Sequence, residues 1–231
     1  MDLFDTIIGR YHGFSVASRH FYLYPVTLGK MFLLRRLIEE LHLNTNIIKA
    51  NPYIEALRIS TENKEVCCRI LTYHTINTKA KMFDNEFVEK RTRWLVENID
   101  YDALAQAMMM VLQSDKTEMF MKYLKLDKER ERMERVMQVK KDKNNINFGG
   151  LSVYGTYIDT ACERYGWTFD YVVWEISYSN LMLLMADKLT SIYVSDDEMK
   201  KLPASVFANK ANIIKADDPK NRDMIRQMDW R

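Results

Sequence analysis

Side chains that could bind a metal are few in this chain, and their spacing brings none of them together. Four histidines stand far apart in the sequence: His12, His20, His42 and His74. None of them lies at the spacing from a cysteine or a carboxylate that a zinc site requires. Cys67 and Cys68 are adjacent, and adjacent residues of a helix point roughly 100° apart. Together with Cys162 they indicate neither a metal site nor a disulfide framework.

Motifs for phosphate binding and for nucleophilic catalysis are also missing. The chain contains no G-x-x-x-x-G-K-[ST], no G-x-G-x-x-G, no H-E-x-x-H and no G-x-S-x-G pattern. Gly29 and Lys30 form a Gly-Lys pair, but the earlier glycine and the following Ser or Thr of a phosphate-binding loop are absent. We therefore predict that the protein is not an enzyme and has no catalytic residues, no metal and no cofactor.

Composition narrows the class of protein further. The 231 residues include 15 Met and 13 Tyr, but only 7 Gly and 4 Pro. So few turn-forming residues argue against an all-β sandwich. Because the net charge is only +2, a nucleic-acid binder would need a local basic patch. No apolar run reaches the roughly 18 residues of a membrane span, and the first ten residues do not have the pattern of a secretory signal. A reducing cytoplasm is the expected compartment.

The elements that must position any site are predicted to be almost all helical. Residues 20–24 suit a short extended segment. Apolar residues then recur at three- and four-residue steps over 28–41, while Lys30 and other charged residues fall on the opposite side. This pattern predicts an amphipathic helix with Thr27 as its N-cap. Similar patterns follow, so residues 1–126 are predicted as an N-terminal helical bundle.

Composition changes after this bundle. Residues 127–150 are predicted as a charged linker, of which 127–143 is an exposed helix or a solvated segment. Residues 151–202 are predicted as a C-terminal αα-hairpin, in which Gly166 ends the first helix and Thr168 caps the second. Residues 203–231 are predicted as a loosely folded tail. The predicted fold is therefore mostly α: an N-terminal helical bundle with a short extended segment, a charged linker helix and a C-terminal αα-hairpin.

The second helix of the predicted hairpin, from residue 169 to about 189, is crowded with apolar residues. Residues 165–185 contain six aromatic residues but only two charged ones. A helix that is apolar nearly all round must be covered on most sides. It lies either at the centre of a monomeric core or partly against another protein. For the second case the candidate partner-binding residues are Trp167, Phe169, Tyr171, Trp174, Tyr178 and Met182.

Two stretches in this order resemble a known family. The N-terminal stretch reads PVTLGKMFLL, and the C-terminal stretch reads YGWTFDYV and is followed by a short helix with an acidic start. The arrangement is similar to that of the tail assembly chaperones of long-tailed bacteriophages and prophages. The resemblance implies a mostly α, non-enzymatic protein of the bacterial host cytoplasm that self-associates. It also implies that the chain binds the long tape measure protein until the tail tube forms around it.

Two other classes of function remain open from the sequence. The chain could be a structural component of a phage particle, such as a connector or baseplate protein. It could also be a helical nucleic-acid-binding regulator that uses the cations of 127–143, although the acids interleaved there weaken that interpretation. Protein partners and a homo-oligomer are therefore expected, a membrane is not, and nucleic acid is the less favoured partner.

Overall fold

A β-hairpin precedes the helices. In the computed structural model, the residues described are 5, 7–114, 117–140, 151–187 and 192–206. Strands β1 (His12–Val16) and β2 (Arg19–Leu23) pair antiparallel, with Phe14 opposite Phe21. Strand β2 coincides with the predicted extended segment, whereas β1 was not predicted.

Helices make up most of the rest of the described chain. They are α1 (Leu28–Glu40), α2 (Thr45–Ala50), α3 (Pro52–Glu62), α4 (Lys64–His74), α5 (Lys79–Met82), α6 (Asn85–Asn98), α7 (Tyr101–Leu112), α8 (Thr117–Tyr123), α9 (Leu126–Val139), α10 (Val153–Tyr165), α11 (Phe169–Trp174), α12 (Tyr178–Ala186) and α13 (Asp196–Met199). A short 3-10 turn follows at Ala204–Val206. The predicted mostly α fold is confirmed.

Local capping signals begin and end several of these helices where the sequence predicts them. The Thr27 hydroxyl accepts a hydrogen bond from the Lys30 backbone N–H at 3.3 Å and begins α1. The Thr168 hydroxyl does the same for the Tyr171 N–H at 3.2 Å and begins α11. Gly166 ends α10 in the left-handed conformation, with a φ of 65°.

Packing divides the chain into two compact units. Unit 1 comprises Met1–Leu126 and Phe148–Leu189, and unit 2 comprises Asp127–Asn147 and Thr190–Arg231. Helices α10–α12 thus belong to the same unit as the N-terminal bundle, whereas the sequence suggested a separate C-terminal hairpin. Within unit 2, the guanidinium of Arg132 on α9 donates to the carbonyl of Val206 at 2.6 Å. Residues 141–150 of the predicted linker and 207–231 of the predicted tail lie outside the described residues.

Helix α4 runs through the main core of unit 1. Cys67, Ile70 and Leu71 on this helix are buried among apolar residues of α1, α3, α6 and α7. Burial raises the pKa of the Cys67 and Cys68 thiols to about 12, so both side chains behave as small apolar groups.

The last carbonyls around the C-terminal end of α4 are bound by three different parts of the chain. The Tyr24 backbone N–H donates to the carbonyl of residue 74 at 2.9 Å. The Arg91 guanidinium donates to the carbonyl of residue 75 at 3.2 Å, and the Lys30 ammonium donates to the carbonyl of residue 76 at 2.9 Å. Carbonyls at a helix C-terminus carry partial negative charge, which favours cations there. The end of α4 therefore joins β2, α1 and α6.

The predicted position of Lys30 on the solvent side of α1 is wrong. Its side chain is only 1% exposed, because the ammonium reaches the carbonyl of Ile76 beyond α4. Burial lowers the pKa of Lys30 to about 8. Burial, followed by the neighbouring Lys30 charge, lowers the pKa of His74 to about 3, so this histidine is neutral in the folded protein.

The buried ammonium predicts a distinctive dependence of stability on pH. The pKa of Lys30 is about 8 in the folded chain, against 10.5 as its ordinary value. Below pH 8 Lys30 is protonated in both the folded and the unfolded chain, so the free-energy cost of burying its charge is fully present. Between pH 8 and 10.5 the unfolded state binds more protons, so the free energy of unfolding rises with pH, on the order of 3 kcal/mol.

The Lys30→Met variant should lose this rise, since methionine does not titrate. Chemical denaturation of both proteins across pH 7–10.5 checks the prediction, and subtracting the variant's profile removes the contributions of tyrosines and cysteines. Parallel profiles for the two proteins would show that Lys30 is not a buried cation.

Candidate protein-binding surface

Polar contacts hold helices α10–α12 against the N-terminal bundle. The Tyr178 backbone N–H donates to the carbonyl of Val26 at 2.7 Å, beside a β-bridge that pairs Ser177 with Thr27. The Thr27 residue that begins α1 thus also lies against the start of α12. An exposed ion pair, Lys79–Asp170 at 2.8 Å, adds a weaker tie between α5 and α11.

The indole of Trp174 on α11 packs against the backbone of α1 at Gly29. A Cβ atom placed on Gly29 would lie 2.6 Å from two carbon atoms of this ring. Only glycine therefore leaves room for the ring against the α1 backbone. Phe83 contacts the same ring edge-on with centroids 5.4 Å apart, and the Lys79 ammonium lies 5.6 Å from its centroid.

The predicted continuous helix from 169 to 189 is wrong, because the chain breaks it at 175–177. Helix α11 ends at Trp174 and α12 begins at Tyr178. The Tyr178 N–H bonds to Val26 instead of to the carbonyl four residues earlier. The Ser177 hydroxyl then accepts from the Asn180 N–H at 3.2 Å and caps the new helix.

The six predicted partner-binding residues are not brought onto one surface, although none of them is fully buried. Phe169 and Tyr171 are 61% and 42% exposed at the tip formed by the turn between α10 and α11. Trp167 is half-buried beside them, with its ring centroid 5.1 Å from that of Tyr171. Trp174 faces α1, and the remaining two residues are half-buried on α12: Tyr178 and Met182.

An open groove of about 810 Å³ lies in unit 1, between α1, the C-terminal end of α7 and the starts of α10 and α12. Large apolar and aromatic side chains line much of it: Met31, Phe32, Ile38, Met110, Tyr154 and Tyr178. Phe32 is 47% exposed and Ile38 is 39% exposed. The rings of Phe32 and Tyr154, which both line the groove, contact each other edge-on with centroids 5.0 Å apart. Of the six predicted residues, only Tyr178 lines this groove.

Sequence reasoning missed the groove because it assigned the apolar residues of α1 to the core. Leu28 and Leu34 are buried, but Phe32 and Ile38 point away from the core. The sequence does contain a sign of this second apolar side. A helix packed on one face needs an apolar stripe about 100° wide, and the apolar residues of α1 cover a wider arc than that.

Charges at the rim of the groove are compensated. Arg35 pairs with Glu39 at 2.9 Å and Arg10 pairs with Asp5 at 3.2 Å. Inside the groove, the buried Nε2 of His12 has no hydrogen-bond partner in the described chain. The surface can thus accept an apolar ligand, but it offers no net charge for attracting an ion.

Two further features are absent from the part of the chain that the structure describes: a metal site and a membrane-spanning helix. Within it, no three His, Cys, Asp or Glu side chains come together in a way that could hold a metal. None of its helices combines the length and the apolar character needed to cross a membrane. Comparisons of the chain with protein-family models, with curated proteins and with solved structures find no match.

The contact between α1 and α11 can be tested with a single methyl group. We expect Gly29→Ala to destabilise the protein by roughly 1–3 kcal/mol, because its Cβ overlaps the Trp174 ring. Gly155→Ala is the matched control: it too lies near the start of a helix, and its Cβ would meet only the Ser152 side chain, at 3.4 Å. This control should be neutral or stabilising, by up to about 1 kcal/mol. Urea denaturation followed by tryptophan fluorescence measures both; equal effects would contradict the packing of Trp174 on Gly29.

Proposed function

We propose that this chain is a non-enzymatic tail assembly chaperone of a phage or prophage, which binds the tape measure protein and keeps it soluble during tail assembly. Its resemblance to that family implies this role. The open apolar groove between α1, α7, α10 and α12 supports it, because the groove leaves large side chains exposed that a monomeric core would cover. The proposed place of action is the cytoplasm of the bacterial host.

The occupant that fits this groove is the apolar face of an amphipathic helix. Helices bind such grooves through side chains spaced three and four residues apart. The volume falls within the range of roughly 300–1,000 Å³ typical of ligand sites, which is enough for several anchoring side chains. A compensated rim favours recognition through buried apolar area rather than through charge.

Methionine in the lining suits a partner with many similar segments. Met31 of α1 and Met110 of α7 both line the groove. Their unbranched side chains adjust to anchors of different shape at little cost. A chaperone that covers a long helical protein needs this tolerance, since successive segments of its partner differ in sequence.

The exposed aromatic tip supports a second contact, either with the same partner or with another copy of this chain. Phe169 and Tyr171 lie there with Trp167 beside them. Aromatic side chains of this kind are enriched in protein interfaces. Self-association through the tip would place several grooves along one partner, which raises the overall affinity without any new contact to it.

Replacing one groove residue should weaken partner binding without unfolding the chain. We expect Ile38→Asp to reduce the affinity for the tape measure protein at least tenfold, because it places a carboxylate among apolar anchors. Ile38 is exposed in the free protein, so the fold should tolerate the change. Co-expression of the two proteins followed by measurement of soluble tape measure protein provides the readout, with the affinity of the purified pair as a second measurement.

Ile54→Asp is the matched control, because Ile54 is also an exposed helical isoleucine but does not line the groove. It should leave both readouts unchanged. If Ile38→Asp binds as well as the parent chain, or if both variants lose binding equally, the groove is not the binding site. If the parent chain itself does not bind the tape measure protein, the proposed function is wrong.

A further inference from the structure

Cations and aromatic rings form a row across β2, α5 and α6 of unit 1, and none of these residues lines the groove. The Lys81 ammonium lies 5.7 Å from the centroid of the Phe87 ring, and the Arg91 guanidinium lies 4.6 Å from the same centroid. Phe21 and Trp94 continue the row, with Arg91 5.9 Å from the Phe21 centroid and the two ring centroids 5.7 Å apart. The Arg19 guanidinium ends the row, 4.4 Å from the Trp94 centroid. We name this feature the cation–aromatic row.

The spacing of residues on α6 builds the centre of this row. Phe87, Arg91 and Trp94 are four and three residues apart, which places them on one face of the helix. Among the acids of α6, Glu89 lies on another side, where its carboxylate is bound by Arg69 at 2.6 Å. Between Phe87 and Trp94, the face that carries the row therefore contains the cation Arg91 and no acid.

The positive charges of the row are not neutralised within the described chain. Arg19, Lys81 and Arg91 form no ion pair with a described carboxylate. Burial lowers the pKa of Arg91, and the nearby charge of Arg19 lowers it further. Because the positive charges of Arg19 and Arg91 lie near each other, an anion that contacts both guanidinium groups is favoured there.

We propose that the cation–aromatic row binds the phosphodiester backbone of a single-stranded nucleic acid. A strand is a linear polyanion, so its successive phosphates can contact several cations of a row, whereas a single acidic side chain would contact one. Guanidinium groups suit phosphate oxygens because their planar forks donate two hydrogen bonds. Surfaces that bind single strands without reading their sequence combine cations with aromatic rings.

This site is independent of the groove and of the proposed chaperone function. It also differs from the charged segment 127–143, which the sequence analysis considered for nucleic acid and which belongs to unit 2. The net charge of +2 is no obstacle, because three uncompensated cations on one surface produce a local field that the whole-chain balance does not reveal.

Fluorescence anisotropy of the full chain with a labelled oligothymidylate of about 20 nucleotides tests the proposal. We expect binding at low ionic strength. A plot of the logarithm of the binding constant against the logarithm of the salt concentration should have a slope of about −2, because three cations release counterions from a single strand. Arg19→Ala and Lys81→Ala should each weaken binding several-fold and reduce the slope by roughly 0.7. Arg91 is left unchanged, since it also binds the end of α4.

Arg36→Ala is the matched control, because it removes an exposed arginine of α1 outside the row. It should have no more than a marginal effect, and thermal melting should show all three variants folded. No binding at low salt, or an equal loss for Arg36→Ala and Arg19→Ala, would overturn the proposal. Polyglutamate serves as the competing polyanion. If it displaces the oligonucleotide at an equal concentration of charge, the row binds acidic proteins instead, and the proposal is overturned.

Discussion

The surfaces of unit 1 depend on which groups donate hydrogen bonds to the carbonyls at the C-terminal end of α4. A helix leaves its last carbonyls without partners inside the helix, and the carbonyls of residues 74–76 are buried in this protein. They accept hydrogen bonds from Tyr24, Arg91 and Lys30, two of which bring a positive charge to the negative end of the helix dipole. Because Tyr24 and Lys30 lie on either side of the connection between β2 and α1, this one helix end fixes both elements. Arg91 fixes α6 in the same way.

The orientation of α1 then decides which surfaces remain open. With Lys30 turned inward, Phe32 points to roughly the opposite side of the helix, because two residues rotate the direction by about 200°. Gly29 meanwhile presents bare backbone to Trp174, which lets α11 approach α1. The groove forms between these packed elements. Arg91, held at the end of α4, also lies between Phe21 and Phe87, so the cation–aromatic row depends on the same helix end.

Features that depend on neighbours in sequence could be predicted, and features that depend on distant partners could not. Thr27, Thr168 and Gly166 act within one helical turn, so their capping roles follow from residue type and position. The inward position of Lys30 needs a carbonyl 46 residues away, and the break before Tyr178 needs the carbonyl of Val26. For the candidate site, the sequence identified a region rich in aromatic residues, but periodicity alone cannot show which apolar side of α1 meets the core. The groove residues of α1 were missed for that reason.

Hydrogen–deuterium exchange of the full chain, alone and in complex with the tape measure protein, most directly tests whether the groove holds the partner. We expect amides of α1 and of the starts of α10 and α12 to exchange more slowly in the complex, while those of α3, which lies away from the groove, keep their rates. Unchanged exchange in α1, α10 and α12, with protection elsewhere in the chain, would contradict the assignment of the groove as the binding surface.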